Sequence, residues 1–127
     1  MKIFDASAVL AMVFAEPGAV RAEGLMQDGD AVISSVNHAE VVARLLERGM
    51  SEAEVDAVCE GLQLQVLPFT AAQAVASGRL RPASRALGLS LGDRCCLALA
   101  QAHRGAQVVT ADRLWKELKG FRIALIR

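Results

Sequence analysis

The chain has 127 residues, of which 54% are hydrophobic, 22% charged and only 4% aromatic. That size and composition exclude collagen, coiled coil and disorder, and predict one domain with one core, stable without disulfides. Fourteen basic residues balance fourteen acidic ones, which excludes a polycation that coats DNA by bulk charge, though not an enzyme acting on nucleic acid at a local site.

Short β-type runs alternate with helical patterns. Lys2–Asp5 reads as a central strand, Ala6–Phe14 as a helix broken by Glu16-Pro17-Gly18, and Ala19–Met26 as a second helix. Ala31–Ser34 is the second strand. Val36–Arg48 is helical and ends at Gly49; Ser51–Glu60 is a helix opened by a Ser51/Glu54 capping box. Leu64–Leu67 is the third strand, stopped by Pro68. Thr70–Leu80 is helical, limited by Pro82, and the arginines around that proline (Arg79, Arg81, Arg85) read as a solvated loop, with a contact for a macromolecular partner as the alternative. Leu91–His103 is helical, Val108–Thr110 is the fourth strand, Asp112–Leu118 a short helix and Phe121–Ile126 the last strand. Strands this short and uniformly apolar have no wet face. The pattern predicts an α/β sandwich with a mostly parallel sheet and helices on both sides.

The N-terminus mimics a signal peptide, because Lys2 precedes the uncharged run Ala6–Ala15. Asp5 and Glu16 bracket that run, and it is far shorter than the roughly 20 residues of a membrane span. A soluble, cytoplasmic protein is expected. The cysteines (Cys59, Cys95, Cys96) lack metal or disulfide spacing and read as small buried apolar residues. His38 and His103 are not spaced as a helical metal pair. Trp115 reads as a packing residue, with a contact at a site's rim as the alternative.

Ligands in an open parallel sheet bind beyond the carboxyl ends of its strands. Four acids fall there. Asp5 closes the first strand, Asp112 follows the fourth, Glu40 lies in the second turn of the helix after the second, and Asp93 lies in the first turn of the helix before the fourth. Each has a plainer account. Asp93 completes a capping box with Ser90, Asp112 is an N-cap, Asp5 accepts from the first amides of the following helix, and Glu40 is solvated. Together they are harder to explain this way. Asp93 shares a helical face with Cys96, Leu97 and Ala100 that should point inward, and an inward acid needs a partner. A divalent cation would relieve the repulsion among four carboxylates, and oxygen-only donors point to Mg²⁺ or Mn²⁺.

The segments Ile3-Phe4-Asp5-Ala6-Ser7-Ala8-Val9, Asn37-His38-Ala39-Glu40-Val41, Ser90-Leu91-Gly92-Asp93-Arg94 and Val109-Thr110-Ala111-Asp112-Arg113 resemble the four motifs of PIN-domain ribonucleases. The resemblance covers essentially the whole chain. At this size it looks like the toxin half of a bacterial VapBC toxin–antitoxin pair. It implies a three-layer PIN domain over residues 1–127 with strand order 3-2-1-4-5. It further implies Mg²⁺-dependent endonucleolytic cleavage of RNA, a homodimer, and a small antitoxin that blocks the active site. By the same resemblance, Asp5 and Asp93 are the principal metal ligands, Asp112 completes the shell directly or through water, and Glu40 holds or deprotonates the attacking water. Ser7 and Thr110 would orient the ligands.

Arg44, Arg94, Arg113 and Lys116 flank the acids and are candidate contacts for RNA phosphates, with solvated helix residues as the alternative. Scarce aromatics disfavour binding by base stacking and favour recognition of RNA shape. Two rival readings stand beside this one. A haloacid-dehalogenase-like phosphatase would use Asp5 as nucleophile, but Ser7 stands where its second acid belongs. A non-catalytic PIN-like binding module would use the same sheet edge to hold a partner.

Overall fold

The computed structural model describes residues 1–127. In chain order the elements are β1 (Lys2–Phe4), α1 (Ala6–Val13), α2 (Ala19–Gln27), β2 (Ala31–Ser34), α3 (Ser35–Glu47), α4 (Glu52–Gly61), β3 (Gln65–Leu67), α5 (Ala71–Arg79), α6 (Arg81–Ser84), α7 (Leu91–Ala102), β4 (Gln107–Thr110) and β5 (Arg122–Leu125). Two short 3₁₀ turns, Arg85–Leu87 and Arg113–Glu117, precede α7 and β5. The five strands form one sheet of order β3-β2-β1-β4-β5. Every pairing is parallel, with Ile3 opposite Val32 on one side and Val108 on the other.

Side chains alternate across a strand, so β1 sends Phe4 to one side of the sheet and Ile3 to the other. Phe4 packs with Ile33 and Val109 against α1, α2, α3 and α4, through Val9, Ala22, Val41, Leu45 and Val55. Ile3 packs with Val32 and Val108 against Cys96, Leu97 and Leu99 of α7 and against Trp115. The expected single core is therefore two cores divided by the sheet, the consequence of a three-layer architecture. Trp115 is fully buried, as its packing role requires. No helix is long and apolar enough to cross a membrane.

The expected parallel sheet is present and is parallel throughout. Two further expectations change. Strands buried on both faces hold for β1, β2 and β4, but β3 at the edge is exposed at Gln65 and Val66. Only inner strands have a neighbour on each side to exclude water. Finally, Pro82 does not lead into a loop. It sits within the first two positions of α6, where a missing backbone N–H costs nothing. The segment carrying Arg81 and Arg85 is thus helical.

Candidate metal and active site

Parallel pairing of β1 with β4 sets Phe4 opposite Val109. The next residues, Asp5 and Thr110, therefore emerge side by side at the carboxyl edge, where the Asp5 amide donates to the Val109 carbonyl (2.9 Å). Asp5 is the N-cap of α1, yet its side chain caps nothing. Asp5 Oδ2 instead accepts from the hydroxyls of Ser7 (2.6 Å) and Thr110 (3.0 Å). Each hydroxyl in turn accepts a backbone amide, Ser7 from Ala111 (3.0 Å) and Thr110 from Asp112 (3.1 Å). A hydroxyl has one proton. With both protons spent on Asp5, the 3.2 Å approach of the two hydroxyl oxygens is a contact enforced by their common acceptor.

Asp5 is 4% exposed. Burial pushes its carboxyl up to about 6, against the pull of the Ser7 hydroxyl and with further repulsion from Asp93 and Glu40. No basic side chain offsets that charge. Asp93 sits at the third position of α7. Its Oδ2 accepts from the Ser90 amide (2.9 Å), and Ser90 Oγ accepts from the Asp93 amide, so the capping box exists. Burial nevertheless raises the Asp93 carboxyl, partly offset by its Ser90 bonds, and the charge of Asp112 raises it further. The inward-facing and capping accounts of Asp93 thus both hold.

Asp5, Ser7, Glu40, Arg44 and Asp93 line one cavity of about 390 Å³. Asp112 is not in its wall. It caps the 3₁₀ turn through the Leu114 amide (2.9 Å) and reaches the group through its repulsion of Asp93. Of the basic residues, Arg44 lines the cavity and lies 3.8 Å from Glu47. Arg94 is half-buried and donates to the Ser77 carbonyl of α5 (3.2 Å), a bond that commits it to the α5–α7 contact. Arg113 Nε donates to the Arg127 carbonyl (3.4 Å). Lys116 is exposed.

The donor set is hard oxygen only, and it carries charge without a basic partner at its centre. Three carboxylates flank the cavity but do not close on one point. Such a site suits an ion that keeps several waters and takes few protein ligands, the habit of Mg²⁺.

Two residues of this edge escaped sequence reasoning. Asn37 is fully buried, and its Nδ2 donates to Glu40 Oε2 (2.8 Å) and to the Gly92 carbonyl (3.0 Å). Gly92 leaves room for Glu40, because a Cβ there would collide with the Glu40 carboxylate. The i, i+3 spacing of Asn37 and Glu40, and a glycine inside a helix where it costs stability, were the available signals. Cys96 lies buried beneath the acids. Burial, then the charges of Asp5, Asp93 and Glu40, hold its thiol well above its ordinary range, so it is an inert packing group.

The PIN domain family model matches residues 2–120. No curated protein gives a significant sequence match. Among solved structures, the chain is similar to one in a DNA-bound VapBC complex from Salmonella typhimurium (TM-score 0.74, 22% identity, 99% of this chain and 98% of that one). It is also similar to one in a toxin–antitoxin complex from Klebsiella pneumoniae (0.76, 18%, 100% and 98%). A third is in VapBC2 of Rickettsia felis bound to a promoter DNA fragment (0.74, 17%, 98% and 97%). At these identities the likeness establishes the fold.

Proposed function

The chain belongs to the PIN-domain family, and from that footing we propose that it is a divalent-metal-dependent endoribonuclease and the toxin of a toxin–antitoxin pair. The observation that carries this reading is the meeting of Asp5, Glu40 and Asp93 on one cavity, with the most buried of them deprived of any basic partner. Relatives of this fold found in toxin–antitoxin complexes support a small antitoxin that blocks the site. A homodimer and a cytoplasmic setting belong to the same reading.

Asp5 and Asp93 would hold Mg²⁺ or Mn²⁺, with Asp112 directly or through water. When bound, the ion supplies charge to offset the scissile phosphate and lowers the pKa of a coordinated water. Ser7 and Thr110 fix one Asp5 oxygen, which leaves the other directed by the same two bonds. Glu40 takes a proton from the attacking water. The water oxygen forms a bond to phosphorus, one phosphorus–oxygen ester bond breaks, and solvent protonates the leaving ribose oxygen. Arg44 in the cavity wall is the best placed of the four basic candidates to hold a phosphate. The phosphatase alternative fails on family membership, and Ser7, where that chemistry needs an acid, is spent on Asp5.

The test uses protein freed of any partner. It should cut structured RNA with Mg²⁺ or Mn²⁺ and stop with EDTA. Asp5→Asn and Asp93→Asn should each lose at least about 100-fold in rate. Folded variants that cut as well as wild type would remove the site from consideration. A wild type that cuts nothing with either ion would favour the non-catalytic module.

A further inference from the structure

Asn37 joins two elements that carry different acids. It lies on α3, three residues before Glu40, and is fully buried. Its partners are two acceptors, a carboxylate oxygen of Glu40 and the backbone carbonyl of Gly92 in the first turn of α7. Only the amide nitrogen can bond both, so the side-chain orientation is fixed by chemistry. Asn37 Oδ1 is then left buried without a partner. Packing alone would be better served by an apolar residue, since an unpartnered buried oxygen is unfavourable. Gly92 completes the arrangement, because only a residue without Cβ lets the Glu40 carboxylate lie against α7.

We propose that Asn37 is a positioning residue for Glu40. It ties Oε2 and leaves Oε1, which has no hydrogen bond within the protein, as the oxygen that takes the proton from water. Because the same amide holds Gly92, next to Asp93, the clamp also sets the distance between the acid that receives the proton and an acid that holds the ion. A glutamate on a half-exposed helix face otherwise samples many rotamers. A group mispositioned by an ångström loses on the order of 100-fold in rate. This inference rests on the nuclease reading above for its consequence, and on geometry alone for the clamp itself.

The experiment compares wild type, Asn37→Ala, Glu40→Ala and the double variant. Turnover is read on a fluorophore–quencher oligoribonucleotide, affinity on Mn²⁺ alone, and Glu40 geometry by ¹³C NMR of its side-chain carboxyl. Asn37→Ala should lower kcat by about 10- to 100-fold, with KM and Mn²⁺ affinity within about twofold, and should move the Glu40 carboxyl resonance. In the Glu40→Ala background the same substitution should cost nothing further. Asn37→Asp, equal in shape but without donors, should be no better than Asn37→Ala. The inference is overturned if Asn37→Ala costs as much without Glu40 as with it, or leaves the Glu40 resonance unmoved. If wild type cuts no RNA, the nuclease reading fails and the resonance alone decides the clamp.

Discussion

Replacing Asp5 with asparagine should make the metal-free protein more stable while abolishing its activity. Burial is the main reason that the Asp5 carboxyl rises from the ordinary 3.8 to about 6. The folded state therefore binds this proton more tightly than the unfolded chain does. The stability that the proton confers is complete below pH 3.8 and is lost as pH rises through 6. Above pH 6 the ionised carboxylate costs about 3 kcal/mol relative to a neutral group. Asparagine is neutral and keeps an oxygen able to accept both the Ser7 and Thr110 hydroxyls. In EDTA at pH 7.5, Asp5→Asn should gain up to about 3 kcal/mol, or a melting temperature higher by roughly 10 °C for a chain of this length. Denaturation monitored by circular dichroism across pH 4 to 8 reads both the gap and its slope. The gap should shrink below pH 6 and close near pH 4, and saturating Mg²⁺ should narrow it by stabilising only the wild type. A variant no more stable than wild type at pH 7.5, or a gap indifferent to pH, would refute the reasoning.

Three further outcomes follow from the same site and core. Mn²⁺ affinity, measured by calorimetry, should weaken as pH falls through about 6, because proton and ion compete for Asp5; equal affinity at pH 5 and 7.5 would contradict this. Gly92→Ala should change stability by no more than about 2 kcal/mol, since the gain of a helical alanine is set against the Asn37 bond that the displaced Glu40 carboxylate gives up. Its activity should nonetheless fall on the order of 100-fold, a split that thermal melts and RNA-cleavage rates check together. Trp115→Ala should cost about 3–5 kcal/mol through the cavity left in the α7-side core, measured as the shift in urea midpoint.

Much of the fold was legible because the central strands have one environment. Residues of β1, β2 and β4 are buried on both faces, and uninterrupted apolar runs such as Ala31–Ile33 announce that directly. The exposure of β3 is not legible in the sequence, because edge position is a property of the whole sheet, absent from any local run. The helix at Pro82 is not legible either, because a proline that ends one helix also suits the start of the next. The acids were legible through their positions at strand and helix ends, but their bonds were not. Asp5 accepts from Thr110, 105 residues away, and no local pattern predicts that partner. Arg94 adjoins Asp93 in sequence, yet a helix turns adjacent residues about 100° apart, and the guanidinium goes to Ser77.

The bonds around Asp5 also impose an order in time. The first strand is made before the other four, but it is the middle of the sheet, and β4 at residues 107–110 must arrive before its second edge is paired. One of the two hydroxyls that hold Asp5, and both backbone amides that orient those hydroxyls, belong to residues 110–112. A nascent chain thus carries Asp5 and Glu40 long before it can fix the first of them. On the proposed nuclease reading, the site becomes competent only once residues 110–112 have joined the sheet, when a partner can meet a folded surface.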